Sequence, residues 1–215
     1  MRPADPAALQ KYIDEKIWGN VRKVEKAREF RNLLPYNELC INGKTYRNLE
    51  QLKPWLEPDR LKKIFSGDMY ADVHGDLTVE NLICWDDGRQ PAYYFIDPNT
   101  GNLHESPALD FAKLLQSLHG GYEFLMRTEK VSVQDNQITF LSTCSKSYTE
   151  VFEQYRAWLE QKFSREQVRS IFFHEIVHWL RLLPYKIEKN GKRAVLFYAG
   201  FIMVFNDVIE WYGEE

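Results

Sequence analysis

Two short motifs constrain the fold of this chain more than any other feature of its sequence. Residues 74–81 read HGDLTVEN, and residues 95–97 read FID after a stretch long enough for one hairpin. This spacing puts Asp76 and Asn81 at the two ends of one loop, and Asp97 at the end of an aromatic strand. We therefore expect a fold in which a loop and a strand end bring three oxygen-bearing side chains together.

Apolar spacing, capping residues and turn dipeptides around these motifs predict a mostly helical α+β chain with small central hairpins. The opening helix follows the Asp5-Pro6 cap and is expected to bend at Gly19-Asn20. Other predicted helices begin near Asn48, run from Pro58 to Phe65, lie between Ser106-Pro107 and Gly120-Gly121, and cover about residues 148–162, 165–183 and 194–211. Predicted hairpins turn at Asn42-Gly43, at residues 86–88 and at Asp135-Asn136.

The composition excludes several classes of protein. The 215 residues are 44% hydrophobic with a net charge of −3, which indicates a folded globule without a basic face for nucleic acid. The three cysteines, Cys40, Cys84 and Cys144, form no C-x-x-C pair, so neither a disulfide framework nor a cysteine zinc site is indicated. The N-terminus lacks an apolar signal segment, and no window approaches the roughly 20 apolar residues of a membrane span. We therefore expect a cytoplasmic protein with neither nucleic acid nor membrane as a partner.

The residue types in the two motifs match the requirements of phosphoryl transfer. That reaction needs a carboxylate to orient and deprotonate the attacking hydroxyl, and it needs magnesium to neutralise charge on the phosphates. Magnesium prefers oxygen ligands, which Asp76, Asn81 and Asp97 can supply. Pro98 disfavours helical geometry at Asp97 and is expected to keep that residue extended.

The same motifs resemble a known family. His74-Gly75-Asp76 with Asn81, then Ile96-Asp97, then Leu109-Asp110-Phe111-Ala112 at a helix start, resemble the C-terminal lobe of the aminoglycoside phosphotransferase and choline kinase-like family. The resemblance covers about residues 70–120. It implies ATP and magnesium as cofactors, and it implies a small-molecule hydroxyl as acceptor, on a sugar, an amino alcohol or a similar metabolite. The implied roles are catalytic base for Asp76, magnesium ligands for Asn81 and Asp97, a brace of the loop for His74, and a buried acid that ties helix to loop for Asp110.

By this resemblance the chain is a single domain, the C-terminal lobe of a protein-kinase-like fold. Residues 1–68 supply leading helices and a hairpin, residues 69–121 carry the catalytic and metal-binding loops, and residues 122–215 form a helical substrate-side subdomain. The acceptor is expected against the helices of that subdomain, where Glu150, Glu153, Tyr155 and Trp158 are candidate pocket residues. Pro98-Asn99 departs from the residues that usually follow the family's metal-binding aspartate.

The family's sheet-rich N-terminal lobe, with its phosphate-covering loop, has no counterpart in the sequence, since no G-x-G-x-x-G occurs. Three explanations stay open: the chain is a fragment of a longer protein, a partner supplies the missing lobe, or this is a non-catalytic binding module. The intact base and ligand positions favour the fragment. We then expect little kinase activity from the chain by itself.

A competing motif lies near the C-terminal end. Residues 174–178 read HEIVH, and on a helix this H-E-x-x-H pattern puts His174 and His178 on one face, as in zinc metallopeptidases. The candidates for a third ligand are Glu188, Asp207 and Glu210, and no motif supports any of them. The surrounding residues are apolar on nearly every side, which favours a pair of core histidines hydrogen-bonded within the fold.

Overall fold

The computed structural model describes residues 1–86, 88–99, 101–141 and 143–214. Its helices are α1 (Pro6–Tyr12), α2 (Gly19–Lys26), α3 (Leu49–Leu52), α4 (Pro58–Phe65), α5 (Ala108–Leu118), α6 (Tyr122–Arg127), α7 (Lys146–Lys162) and α8 (Arg165–Tyr212). Its strands are β1 (Arg2–Pro3), β2 (Glu38–Ile41), β3 (Lys44–Arg47), β4 (Met69–Tyr70), β5 (Leu82–Asp86), β6 (Pro91–Phe95), β7 (Val131–Gln134) and β8 (Gln137–Phe140). Short 3-10 turns lie at Arg28–Phe30, Lys53–Leu56 and Val79–Asn81. Helices dominate and the sheets are small, which confirms the expected α+β class.

The opening helix is continuous from α1 to α2, through a π-helical turn at Ile13–Trp18. Asp5 caps it as predicted, because its side chain accepts a hydrogen bond from the Ala7 amide at 3.0 Å. The bend expected at Gly19 is instead this wider turn, in which the Gly19 amide donates to the Asp14 carbonyl.

The hairpins predicted around residues 39–46 and 131–141 both form, and they join into one sheet in the order β3-β2-β8-β7. The join is parallel, with Ile41 opposite Ile138. Both isoleucines are buried, and the Asn42 side chain accepts a hydrogen bond from the Phe140 amide at 2.9 Å. Pairing between distant hairpins leaves no local sequence signal, so only the separate hairpins were predictable.

The third predicted hairpin pairs β5 with β6 in an antiparallel register. Asp87, in its predicted turn, lies outside the described residues. This aromatic hairpin, residues 82–95, exposes large apolar side chains: Ile83, Trp85, Tyr93, Tyr94 and Phe95. Such a cluster of exposed rings is uncommon on a surface that faces only water.

The two helices predicted over about residues 165–183 and 194–211 are one helix, α8, with a kink at Asn190 where φ is −162° and ψ is 86°. Pro184 lies inside the helix, although its sequence position predicted an end just before it. Leu183 and Ala194 are both fully buried. Packing of both halves in the same core therefore overrides the local stop signal. α6, between α5 and β7, was not predicted.

The C-terminal half of α8 corrects the expectation that no segment could span a membrane. Residues Arg193–Tyr212 are long and apolar enough by length and composition, and 72% of the qualifying stretch is buried inside the fold. A helix packed on most of its faces is apolar nearly all round, so burial in the core accounts for its composition.

The site is positioned by two contacts between elements. β1 pairs with β4, with Arg2 opposite Tyr70, which holds the start of the chain beside the strand that leads to residue 74. α5 packs along α8, with Leu109 and Leu115 in the core. Upstream of β4, helices and one hairpin form, as the sequence predicted.

Candidate active site

Asp110 fixes the loop that carries Asp76. Its two carboxylate oxygens accept hydrogen bonds from the backbone amides of His74 and Gly75, both at 2.7 Å. Charge-assisted bonds to two successive amides set the path of the loop at the first turn of α5. These contacts are those expected of a residue that ties the helix to the loop.

His74 braces the loop from the opposite side. Its Nε2 donates to the Ile96 carbonyl at 2.8 Å, so Nδ1 is the unprotonated nitrogen and accepts a long contact from the Asp76 amide at 3.4 Å. The His74 carbonyl also accepts from the Asn99 amide at 2.7 Å. With both ring nitrogens engaged by backbone, His74 supports the loop and is not placed to exchange protons with a substrate.

Gly75 is required at its position by both backbone geometry and space. Its φ is +79°, and a Cβ there would lie 2.3 Å from the Asn99 carbonyl oxygen and 2.4 Å from the Asn102 side-chain nitrogen. A side chain would therefore push apart the two segments that frame the site.

Asn81 closes the loop onto Asp76. Its Nδ2 donates to the Asp76 carbonyl at 2.7 Å, which leaves Oδ1 without a hydrogen-bond donor among the described residues. The Asn81 carbonyl accepts from the Ile96 amide at 3.1 Å, one step beyond the pairing of Leu82 with Phe95. Asn81 thus lies immediately before β5 and Asp97 two residues after β6, both at the base of the aromatic hairpin.

Asp97 differs from the sequence prediction in its backbone. Its φ is +55°, in the left-handed region, so the expectation that Pro98 keeps it extended is wrong. The residue lies where the chain leaves β6 and turns toward His74, to which Asn99 is bonded. That turn outweighs the influence of Pro98, and such strain in a residue other than glycine is concentrated at functional sites. Its carboxylate is exposed and has no hydrogen bond or ion pair with any described residue.

Asp76 is met by a cation that the sequence analysis missed. The Nζ of Lys113 lies 3.1 Å from Asp76 Oδ1, and the exposed fractions of the two side chains are 17% and 43%. Burial lowers the pKa of Lys113, and Asp76 opposes that shift. Lys113 lies one helical turn after Asp110 on α5, so helical periodicity from Asp110 was the signal that could have found it. Asp110 itself is half-buried, where the sequence analysis expected a buried acid.

The residues suggested as acceptor contacts lie elsewhere. The Tyr155 hydroxyl donates to the Phe111 carbonyl at 3.2 Å, and Trp158 stacks on Tyr155. Glu150 pairs with Lys146 on the surface. Neither these residues nor Glu153 hydrogen-bond or ion-pair with the loop at residues 74–81 in the described part of the chain. The helix side chains that bond to that loop come from α5 instead: Asp110, Lys113 and Ser117.

The H-E-x-x-H motif does not assemble as a metal centre. His178 Nε2 donates to the Leu109 carbonyl at 2.9 Å, His174 Nε2 donates to Asp68 at 2.8 Å, and Glu175 accepts from His119 at 2.9 Å. All three motif side chains are buried. The interpretation as core histidines hydrogen-bonded within the fold is confirmed.

Asp68 is the centre of a buried polar cluster that sequence reasoning missed. It accepts hydrogen bonds from His104 at 2.7 Å, from His174 at 2.8 Å and from Ser170 at 2.6 Å. Burial by itself raises the pKa of Asp68, but the imidazoles and these hydrogen bonds outweigh it and lower the pKa well below its usual range. Burial also lowers the pKa of His174, against the effect of Asp68. The cluster therefore pairs an ionised carboxylate with a His174 imidazole that burial keeps neutral.

The far sides of both imidazoles are also hydrogen-bonded. The hydroxyls of Tyr12 and Tyr70 lie 3.0 Å and 3.1 Å from Nδ1 of His174 and of His104. The possible ligand atoms of Asp68, His104 and His174 lie within 4.8 Å of one another. Both Nε2 atoms, however, donate a hydrogen bond to Asp68. The arrangement is complete as a hydrogen-bond network that joins α1, β4 and α8.

Comparison of the chain with family models, with curated proteins and with solved structures found no match.

Proposed function

We propose that this chain is the catalytic half of an ATP- and magnesium-dependent phosphotransferase that acts on a small-molecule hydroxyl. The observation that carries the proposal is the way in which one loop, residues 74–81, gathers the groups such a reaction needs. Asp110 sets the loop, Asn81 closes it onto Asp76, and the base of the aromatic hairpin brings Asp97 beside Asn81.

Asn81 and Asp97 fit a magnesium ion. Among the described residues, the side-chain oxygen of Asn81 accepts no hydrogen bond, since the bond to Asp76 is made by its nitrogen, and the carboxylate of Asp97 is exposed and unpaired. A carboxylate and an amide oxygen, completed by water and phosphate oxygens, suit the octahedral preference of magnesium. The ion would neutralise charge on the phosphates of ATP.

Asp76 suits the role of base. Its half-exposed carboxylate can accept a hydrogen bond from an acceptor hydroxyl, orient that oxygen toward the phosphorus and take up its proton. The backbone of Asp76 is held at both its amide and its carbonyl, so the side chain works from a fixed position.

The aromatic hairpin supports the idea that another lobe completes the nucleotide site. Tyr93 is 66% exposed and Trp85 is 57% exposed, on the hairpin whose base carries the proposed magnesium ligands. A surface of this kind suits a partner or a further part of the polypeptide, which would supply the phosphate-covering loop. We favour a fragment of a longer protein over a non-catalytic module, because the base and both ligand positions are intact.

Manganese binding tests the metal half of the proposal on the chain itself. Titration with Mn²⁺ as a paramagnetic substitute for magnesium is expected to show one site that Asp97→Asn weakens by about tenfold, or 1.4 kcal/mol. Asp86→Asn, at the far end of the same hairpin, is the matched control and leaves binding unchanged. Equal binding by the wild type and Asp97→Asn contradicts the assignment.

Turnover tests the base. In the full-length polypeptide or the reconstituted complex, Asp76→Asn is expected to abolish phosphoryl transfer while the circular dichroism spectrum and melting temperature stay at wild-type values. Unimpaired turnover would remove Asp76 from the mechanism. If the complete protein has no activity and binds neither Mn²⁺ nor nucleotide, the binding-module interpretation replaces this one.

A further inference from the structure

Lys186 is a buried lysine without an acidic partner. Lys186 lies on α8 and is 7% exposed. No carboxylate of the described residues lies within ion-pair distance of its Nζ. Among the described residues, that nitrogen hydrogen-bonds to the Tyr122 hydroxyl at 3.3 Å and to the sulfur of Met126 at 2.8 Å. A thioether is a weak acceptor, so an ammonium group with three donors is left poorly satisfied.

Aromatic rings enclose the ammonium group. Its Nζ lies 4.3 Å from the ring centre of Phe197 and 5.0 Å from that of Tyr122. The pKa of Lys186 is lowered to about 8, first by burial and then by the neighbouring charges of Arg193 and Lys189. The carboxylate of Glu80 acts in the opposite direction and raises it. The group is still mostly protonated at neutral pH, and its charge is compensated only by rings and distant carboxylates.

A chain of contacts connects Lys186 with the proposed catalytic loop. Tyr122 opens α6, and the next residue, Glu123, accepts a hydrogen bond from the Ser117 hydroxyl at 2.6 Å. Ser117 in turn accepts from the amide of Val79, in the loop, at 3.2 Å. Burial raises the pKa of Tyr122 to about 12, and the carboxylates of Glu80 and Asp76 add to the shift. The Tyr122 hydroxyl that contacts Lys186 therefore lies in the electrostatic surroundings of Asp76.

Two other cations of this region are already engaged. Lys113 is paired with Asp76. Arg193 donates to the carbonyls of Leu125, Met126 and Thr128, where it caps the C-terminal end of α6. Lys186, which is buried and has no acidic partner among the described residues, therefore gains more from an incoming anion than Lys113 or Arg193.

We propose that the acceptor of the phosphoryl group is an anionic alcohol, whose carboxylate or phosphate binds Lys186 next to Tyr122 while its hydroxyl lies at Asp76. This inference rests on the proposed function and specifies its substrate class. A buried ammonium group selects against amino alcohols and aminosugars. The positive charge of such a ligand would lose its hydration and lie beside the positive charge of Lys186. The Met126 side chain is exposed. A bound anion therefore displaces its sulfur from Lys186 and forms a charge-assisted hydrogen bond with the ammonium group instead.

Sugars that share one ring and differ in charge test the proposal by calorimetric titration of the full chain, without nucleotide or magnesium. The probes are glucuronate, glucose 6-phosphate, glucose and glucosamine. At least one of the two anionic sugars is expected to bind about tenfold more tightly than glucose, and glucosamine no more tightly than glucose. The anion with the higher affinity shows whether the natural group is a carboxylate or a phosphate.

Two variants separate a built site from general charge. Lys186→Met keeps the apolar stem among its rings and is expected to remove the preference for anions. Lys189→Met removes an exposed lysine from the same helix and is expected to keep it. The preference is also expected to appear as a shift of the Lys186 side-chain Cε resonance on addition of the anion.

Three results would overturn the proposal: no preference for either anion, an unchanged preference in Lys186→Met, or an equal loss in Lys189→Met. These outcomes are distinct from a failure of the proposed function, since the titrations involve no phosphoryl transfer. Turnover by Asp76→Asn in the complete protein would refute the proposed base and leave the anion site standing.

Discussion

The ammonium group of Lys113 lies 3.1 Å from the carboxylate of Asp76. Both groups belong to the same structural unit, because Asp110, one turn earlier on α5, holds the amides of the loop that carries Asp76. One helix thus fixes the backbone of the loop and supplies the counter-charge of its central side chain.

Replacing Lys113 with Met is expected to change the free energy of unfolding by less than about 1 kcal/mol, because the Asp76 side of the ion pair is partly solvated. A double-mutant cycle with Asp76→Asn isolates the coupling between the two groups in urea denaturation. A coupling above about 3 kcal/mol would mean that the pair behaves as a fully buried one.

Replacing Asp110 with Asn is expected to destabilise the chain by about 1–3 kcal/mol, because one of two backbone amides loses its acceptor and the other loses a charged one. Asp59→Asn is the matched control, since the side chain of Asp59 is 99% exposed, and we expect no change there. Equal urea midpoints for Asp110→Asn and the wild type would show that the loop does not depend on this carboxylate.

Gly75→Ala compared with Gly43→Ala separates backbone strain from steric conflict. Both glycines have positive φ, at 79° and 85°, but an added Cβ meets nothing within 4 Å at Gly43. We expect about 1 kcal/mol of destabilisation at Gly43 and at least about 2 kcal/mol more at Gly75. Similar losses of melting temperature at both positions would contradict the close packing of Gly75 against Asn99.

Stability is expected to fall in alkaline solution because of His119. Burial lowers the pKa of this imidazole, but the Glu175 and Asp207 carboxylates outweigh burial and raise the pKa to about 9. Since the folded pKa lies above the unfolded value of 6.5, the folded state binds more protons between them. The stabilisation is complete below pH about 6.5 and is lost as the pH rises through about 9, by on the order of 3 kcal/mol.

The variant His119→Gln removes this titration. Its free energy of unfolding, measured by urea denaturation at several pH values, is expected to vary less than that of the wild type between neutral pH and pH about 9. The same slope in both proteins would assign the alkaline loss to another group.

Removal of transition metals at a constant magnesium concentration is expected to leave the melting temperature unchanged, because the imidazoles of His104 and His174 already donate hydrogen bonds to Asp68. Asp68→Ala is expected to cost about 3–5 kcal/mol, since it leaves three buried donors without an acceptor. A chelator that lowers the melting temperature by several degrees, or about one zinc per purified chain, would show that the cluster is a metal site.

Local patterns predicted much of this fold because their causes are local. Asp5 caps the first helix, Ser164 and Gln167 form a capping box at the start of α8, and Pro58 opens α4. In each case the residue acts within a few positions of itself. The loop at residues 74–81 was predictable for the same reason, because Asn81 bonds to Asp76, only five residues before it.

The features that the sequence did not predict depend on contacts between segments that are distant along the chain. Lys113 becomes relevant only where α5 meets the loop, and Asp68 only where His104 and His174 converge on it. The positive φ of Asp97 follows from the tie between Asn99 and His74, which no dipeptide rule includes. Three-dimensional packing determines each of these features. The local sequence preference opposes the observed backbone at Asp97 and does not predict the contacts of Lys113 and Asp68.

The aromatic hairpin gives the proposed magnesium ligands an unusual thermodynamic setting. A two-stranded hairpin with exposed rings is marginally stable by itself, and Asn81 and Asp97 sit at its base. A partner that covered the rings, as proposed above, would order the hairpin and so reduce the conformational entropy that ion binding must overcome. By thermodynamic reciprocity, the bound ion would strengthen the attachment of that partner by the same free energy. We therefore expect the affinity for such a partner and the affinity for metal to rise and fall together.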